Sequence, residues 1–201
     1  MRNSHFIDAL QAFADRAGMP LPNLDAALGA IRIVELNARD FAFREHEFHP
    51  FVYRVQRGLL KQFYTTEDGA EWIKSFTAEG DLFACAFALL KGSRTTFSSQ
   101  AIEPCLVEQI DFGVFEQLAS ESVEWQKLLR HATEELALIK LQRERDLLTL
   151  SAEELFRAFV RRNPGLADRV PQKDLAAYLG VTAVGLSRII KRTRSASPYR
   201  A

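Results

Sequence analysis

The chain has 201 residues, 47% hydrophobic and 26% charged, so it is long enough for one sizeable domain and a smaller one, and its composition excludes extensive disorder. Its two cysteines, Cys85 and Cys105, are too few for a disulfide scaffold or a cysteine-based metal cage. The formal net charge is zero, yet residues 169–201 hold seven Lys or Arg and one Asp, a net +6, so the rest of the chain carries −6. An acidic body with a basic end is typical of a protein that contacts nucleic acid at that end.

Nothing in the sequence predicts a membrane or an export signal. The N-terminal segment is amphipathic and carries Asp8 and Asp15, unlike the apolar centre of a signal peptide. No run approaches the roughly 20 apolar residues that span a bilayer. We therefore expect a cytoplasmic protein without a membrane partner.

Two short helices are predicted at the N-terminus. Apolar residues at helical spacing indicate one helix over residues 4–17, and residues 19–22 end it. Asn23 is placed to cap a second helix that runs through Ala30.

From residue 31 the pattern becomes that of strands. Six short segments are rich in β-branched and aromatic residues, and Asp68-Gly69 between two of them predicts a tight hairpin. Many short strands separated by turn residues favour a sandwich or a barrel over an α/β fold. The segments are IRIVEL (31–36), FVYRVQ (51–56), LLKQFYT (59–65), EWIKSFT (71–77), TTFSSQAI (95–102) and CLVEQI (105–110).

A long helix is predicted after the strands. Asp111 can cap a first helix, FGVFEQLA, and residues 122–148 contain no Gly or Pro, which predicts a helix of about 27 residues and ~40 Å. Its apolar surface exceeds what one sheet needs, so we expect it to pack on its own domain and on a symmetry mate. The alternative is a long helix buried within the monomer. The apolar residues at three-four spacing are Leu129, Ala132, Leu136 and Ile139, and those off this stripe are Leu128, Leu138 and Leu141.

A capping box starts the next helix. Ser151 and Glu154 in the segment SAEE have the required spacing, and the helix should end at Asn163-Pro164-Gly165. About six residues then remain as a hinge or linker.

The segment VPQKDLAAYLGVTAVGLSRIIKR, residues 170–192, predicts two short helices that meet at Gly180. Pro171 suits the first turn, Gly180 suits a left-handed C-terminal residue, and Thr182 can cap the second helix. Small Ala176 allows the two helices to cross closely. This is the pattern of a helix-turn-helix.

The outward face of the second helix tests that interpretation. At 100° per residue, Val184, Ser187, Arg188 and Lys191 fall within an arc of about 100°, opposite the apolar residues. Such an arc is what a DNA major groove would meet. The alternative is an ordinary helical hairpin with a solvated basic face.

The order of a β-roll, a long helix and a helix-turn-helix resembles the family of the cyclic-AMP receptor protein and the fumarate-nitrate regulator, the Crp/Fnr family, from about Leu24 to Arg192. The matching stretches are FVYRVQRGLLKQFYTTEDGAEWIKSFTAEGDL, SRTTFSSQAIEPCLVEQI and residues 170–192. The resemblance implies an α+β fold in three parts: N-terminal helices and a cyclic-nucleotide-binding-like β-roll of the jelly-roll type over 1–120, a dimerisation helix over 121–149, and a helix-turn-helix domain over 150–201 that lacks most of the wing.

The resemblance also implies a transcriptional regulator that binds a palindromic operator in double-stranded DNA as a homodimer and works with RNA polymerase. Aligned on Gly180, the family's first two recognition positions are Ala183 and Val184, and the later arginine is Arg188. The basic tail KRTRSASPYR takes over phosphate contacts of the wing. The expected DNA-contacting residues are Gln172, Lys173, Thr182, Ala183, Val184, Ser187, Arg188, Lys191, Arg192 and Arg194.

Two departures from the family concern its effectors. Ala84-Cys85-Ala86 replaces the Gly-Glu-Leu triplet whose Glu holds the ribose, and Arg94-Thr95 lies one residue short of the phosphate-binding pair. We therefore expect no response to cyclic AMP and no required cofactor, with Cys85, Arg94 and Thr95 as the candidate contacts of an unidentified effector. The alternative is that Arg94 is a surface arginine. No cysteine precedes Cys85, which excludes the family's iron–sulfur mode of oxygen sensing.

No motif indicates catalysis or a metal. The sequence has no phosphate-binding glycine loop, nucleophile elbow or H-E-x-x-H, and its acidic residues are scattered. His46 and His49 form one H-x-x-H, which needs further ligands to bind a metal. We expect a protein that is not an enzyme. The alternative function is a ligand-binding or adaptor protein that uses the β-roll and does not bind DNA.

Overall fold

The structure is a computed structural model that describes the backbone of residues 5–195 and the side chains of residues 6–193. Within this range the chain forms eight strands: β1 (Arg32–Leu36), β2 (Phe41–Phe43), β3 (Phe51–Arg57), β4 (Leu60–Thr65), β5 (Glu71–Thr77), β6 (Leu82–Phe83), β7 (Ser98–Ala101) and β8 (Cys105–Asp111). They build two four-stranded sheets with the orders β1-β8-β3-β6 and β2-β7-β4-β5.

The same range contains nine helices: α1 (His5–Ala17), α2 (Leu24–Ala30), α3 (Ala86–Lys91), α4 (Phe112–Glu121), α5 (Val123–Thr149), α6 (Ala152–Arg162), α7 (Leu166–Arg169), α8 (Gln172–Leu179) and α9 (Ala183–Ser195). The α+β fold expected from the resemblance, a β-roll followed by helices, is confirmed.

The six strands predicted from the sequence are confirmed as β1, β3, β4, β5, β7 and β8. Strands β2 and β6 were missed because two or three residues are too few to show a hydrophobic period. They form because their backbones pair with β7 and β3.

Local capping signals fix the starts of two helices as predicted. Asp111 accepts the amide of Gly113 at 2.8 Å at the start of α4. Ser151 and Glu154 form the predicted capping box of α6.

Three local predictions are wrong. Asn23 makes no side-chain cap bond, because it has a left-handed backbone (φ 57°) and not the extended backbone of an N-cap. Pro171 lies just before the first residue of α8, outside the first helical turn. The expected linker contains α7, whose four residues are too few to show a helical period.

Two hydrophobic clusters hold the N-terminal part together. One fills the β-roll with residues of both sheets, including Phe43, Val55 and Leu60. The other joins α1, α2, α4 and the start of α5 to the outer face of the first sheet, where Ile110 lies. Trp125 is fully buried in this second cluster, and its indole N–H donates to the carbonyl of Pro22 at 2.7 Å.

By compactness the chain divides into two units. The first comprises residues 1–64 and 76–136, and the second comprises residues 65–75 and 137–201. Helix α5 runs through both, because its bounds are Val123 and Thr149.

The turn between β3 and β4 brings two backbones into close approach. Gly58 has φ 105°, and a Cβ atom there would lie 2.6 Å from Cys105 Sγ and 2.7 Å from the carbonyl oxygen of Pro104. Gly180, which ends α8, has φ 70° but no atom within 4 Å of its would-be Cβ. A substitution at Gly180 therefore causes backbone strain alone, whereas a substitution at Gly58 causes both backbone strain and steric overlap.

We expect Gly58→Ala to destabilise the protein more than Gly180→Ala. The strain of a positive φ costs about 1 kcal/mol at either position, and overlap with backbone atoms adds about 1 to 3 kcal/mol at Gly58 alone. Urea denaturation followed by far-ultraviolet circular dichroism measures both. Equal losses would show that the β3–β4 turn shifts to admit a methyl group.

Candidate nucleic-acid interface and effector region

Helices α8 and α9 meet in the predicted turn. Gly180 adopts the left-handed backbone, and the amide of Val181 donates to the carbonyl of Ala176 at 3.0 Å. Thr182 Oγ1 accepts the amide of Gly185 at 3.1 Å and so caps α9. The geometry of the turn and both of its capping predictions are therefore confirmed.

Apolar side chains fix the angle between the two helices. Leu175, Ala176 and Leu186 are almost fully buried, and α6 contributes Leu155 and Phe159. Because α6 contacts both α8 and α9, these helices form one packed three-helix domain.

The outward arc of α9 is exposed as predicted. Val184 is 62% exposed, and Ser187, Arg188 and Lys191 are exposed beside it. Arg188 makes no hydrogen bond or ion pair with any residue that the structure describes. An exposed arginine is able to reach the edge of a base.

The other expected DNA-contacting residues surround this arc. Arg192 is exposed, and its guanidinium lies 3.8 Å from a carboxylate oxygen of Glu153. The side chain of Arg194 and the tail from residue 196 lie outside the described residues. The remaining expected residues are exposed: Gln172, Lys173, Thr182 and Ala183.

Four polar residues join the end of α5 to the three-helix domain. The Arg143 guanidinium lies over the ring of Tyr178, 3.8 Å from its centroid, and donates to the carbonyl of Tyr178 at 2.5 Å. Asp146 is buried and accepts from Arg162 at 2.5 Å and from Gln142 at 2.6 Å.

Burial and pairing shift the pKa values of these groups. Burial lowers the pKa of Arg143 and raises the pKa of the Tyr178 hydroxyl. The hydrogen bond from Arg162 holds the pKa of Asp146 below its ordinary value. The lowered pKa keeps the Asp146 carboxylate charged at neutral pH, and hydrogen bonds that involve a charged group are the stronger ones.

Helix α5 buries its apolar face only at its beginning. Trp125 and Leu128 are buried on the face that continues, at helical spacing, through Leu136 and Ile139. Leu136 is 38% exposed and Ile139 is 59% exposed. This contradicts the alternative of a long helix buried within the monomer, because its second half has no apolar cover among the described residues.

The candidate effector residues differ in exposure, and each makes a hydrogen bond within the chain. Cys85 is buried, and its sulfur accepts the amide of Thr96 at 3.4 Å. Thr95 is also buried, and its hydroxyl donates to the carbonyl of Arg44. Arg94 is exposed and donates to the carbonyl of His46 at 2.8 Å. Their assignment to an effector stays a prediction.

Aromatic rings fill much of the β-roll interior. Tyr53 stacks on Phe83 with 4.7 Å between centroids. Its hydroxyl accepts from Gln109 and contacts a ring nitrogen of His49 at 2.8 Å. Burial raises the pKa of Tyr53 to about 12 and lowers the pKa of His49. His49, the second histidine of the H-x-x-H, is therefore part of a packed aromatic network.

Within the described residues, no three His, Cys, Asp or Glu side chains lie together in a way that could hold a metal ion.

The comparisons with known proteins agree with this geometry. The family model of the cyclic nucleotide-binding domain matches residues 33–122, which contain all eight strands except the first residue of β1. Regulatory protein HlyX of Actinobacillus pleuropneumoniae is 26% identical over 156 residues, 70% of this chain and 62% of HlyX. The fumarate and nitrate reduction regulatory protein of Vibrio cholerae is 28% identical over 158 residues, 70% of this chain and 60% of that protein.

Solved structures show the same fold. FixK2 from Bradyrhizobium japonicum superposes with a TM-score of 0.72 at 21% identity, over 82% of this chain and 85% of FixK2. The chain is therefore similar in sequence and fold to these regulators. It spans about three fifths of the length of these curated relatives. No helix among the described residues is long and apolar enough to cross a membrane.

Several residues that shape this site have no signal in the sequence. Arg143 and Tyr178 are 35 residues apart, and Asp146 and Arg162 are 16 apart. Neither spacing is a helical or strand period. The one usable signal is the presence of charged residues on the face of α5 that would otherwise be apolar.

Proposed function

We propose that this protein is a transcriptional regulator that binds double-stranded DNA as a homodimer and reads its operator with the outward arc of α9. The observation that carries the proposal is the capped α8–turn–α9 geometry, which leaves Arg188 exposed without a partner among the described residues. The names of the relatives, regulatory proteins in each case, support it. No observation favours the alternative of an adaptor protein that does not bind DNA.

A dimer follows from the small size of one recognition helix. One helix-turn-helix offers too few contacts for tight specific binding, whereas two related by a twofold axis meet half-sites about 34 Å apart. The exposed apolar face of α5 supports pairing through that helix, because exposed apolar stripes of this length are otherwise rare on monomers. RNA polymerase is the further partner that a regulator of this class needs. Such a protein acts in the cytoplasm and needs no catalytic group.

The β-roll of this regulator does not sense cyclic AMP. Cys85 is buried and already accepts a backbone amide, so it supplies no carboxylate oxygen to a ribose hydroxyl. Arg94 is exposed over the ring of Phe48, 4.7 Å from its centroid.

We expect calorimetric titration with cyclic AMP to give no binding with a dissociation constant in the micromolar range, roughly −8 kcal/mol. The titration is repeated with Arg94→Gln, whose response should equal that of the natural chain. If the natural chain bound cyclic AMP with micromolar affinity and Arg94→Gln abolished that binding, the β-roll would be a cyclic-AMP sensor and the prediction would be wrong.

Introducing charge on the apolar stripe should separate the dimer. We expect Leu136→Glu to give a particle with the mass of one chain, 22.8 kDa, in multi-angle light scattering, because a buried unpaired carboxylate costs several kcal/mol. Ala137→Glu, one residue away and off the stripe, is the matched control and should stay dimeric. A folded Leu136→Glu variant that remains a dimer would place the interface elsewhere.

Two neighbouring cations on α9 should have different roles in DNA binding. Arg188→Ala is expected to cost about 1 to 3 kcal/mol of operator binding and to relax preference at one base pair in each half-site. Lys191→Ala should weaken binding to all sequences alike and flatten the dependence of affinity on salt, as a phosphate contact does. Fluorescence anisotropy with operator and random duplexes measures both. If Arg188→Ala lost affinity equally for both duplexes, Arg188 would be a backbone contact.

A further inference from the structure

The connection between α5 and the three-helix domain is short. Helix α5 ends at Thr149 and α6 begins at Ala152, so Leu150 and Ser151 alone link them. Leu150 donates its amide to the carbonyl of Asp146 and Ser151 caps α6, so only a few backbone dihedrals between the two helices set the angle of the domain. Side chains that cross this junction restrict rotation about those dihedrals.

We propose that Arg143 and Asp146 are positioning residues that fix the three-helix domain on the end of α5 and thereby set the half-site spacing that the dimer accepts. This inference rests on the proposed function, since spacing has a meaning only for a dimer on DNA. Both residues lie one helical turn apart on the same face of α5.

Arg143 holds the end of α8. Its guanidinium stacks on the Tyr178 ring and donates to the Tyr178 carbonyl, so both the side chain and the backbone of that residue are held. Tyr178 lies two residues before Gly180, where the chain turns into α9. The Tyr178 ring also packs against Phe159 of α6, 5.4 Å between centroids. Arg143 therefore fixes the point from which the recognition helix starts.

Asp146 holds the end of α6. Its carboxylate accepts from Arg162, the last residue of α6, and from Gln142 one turn earlier on α5. The Asp146 side chain is 7% exposed, which shields its bond with Arg162 from solvent competition. Two attachments at separate points, one on α6 and one on α8, prevent rotation that a single attachment would allow.

The consequence on DNA is a strict distance between the two recognition helices. Each base pair inserted between half-sites turns one half-site by about 34° and moves it by about 3.4 Å relative to the other. A domain that is fixed on a shared dimer helix does not follow this change. A domain that rotates on a two-residue link follows it in part, at a loss of affinity for the optimal spacing.

The test compares operator duplexes whose half-sites are identical and whose spacer is changed by −1, 0, +1 or +2 base pairs. We expect the natural chain to lose about tenfold in affinity for each single-base-pair change. Arg143→Leu should lose threefold or less across the same change, which is about 0.7 kcal/mol, and its preferred bases within each half-site should stay the same. A merely structural defect would lower affinity for every spacer alike.

Control variants make the outcomes distinct. Arg145→Leu removes a cation from an exposed position on the same helix and should keep the spacing profile of the natural chain. Asp146→Asn keeps the side-chain volume, so it replaces Arg143→Leu if circular dichroism shows that the latter is unfolded, and it should widen the profile too. Failure of the natural chain to bind any duplex would refute the proposed function itself. Binding by the natural chain with an unchanged profile in the folded variants would refute the positioning role.

Discussion

The packing of helix α5 is the constraint on which the rest of the structure depends. Its first turns bury Trp125 and Leu128 in the hydrophobic cluster that also contains residues of α1, α2 and α4. The same apolar face then continues exposed through Leu136 and Ile139. A helix that is fixed at one end and uncovered along its length favours association with a second copy, since burial of that face releases ordered water from apolar surface.

The end of α5 contacts the three-helix domain through polar residues. Arg143 and Asp146 stand where a further apolar residue would be expected, and both form charged hydrogen bonds with the three-helix domain. Charged groups need specific directions for their bonds, whereas apolar contacts tolerate sliding. In the proposed dimer, apolar contact joins the two copies and polar contact fixes the angle of the three-helix domain.

Local signals were enough to predict much of the fold. The six longer strands, the cap at Asp111, the capping box at Ser151 and the turn at Gly180 each depend on a few neighbouring residues, and each is confirmed. The outward arc of α9 follows from helical geometry alone. These features are readable because the interaction that stabilises them lies within one turn of the chain.

Features that depend on distant partners were not predictable. Strands β2 and β6 exist through pairing with β7 and β3. Asn23 fails as a cap because its own backbone is left-handed. The amide of Phe6 donates to buried Glu108, 102 residues later, and so ties α1 to β8. No spacing rule connects residues at such separations, and the contacts around Arg143 are of the same kind.

Selection of bound sequences from a pool of random 30-base-pair duplexes tests the central claim most directly. The account predicts enrichment of an inverted repeat whose half-site centres lie about 10 base pairs, or 34 Å, apart, because two copies of α9 related by a twofold axis meet successive major grooves on one side of the duplex. Enrichment of a single unpaired half-site, or no enrichment over the starting pool, would contradict it.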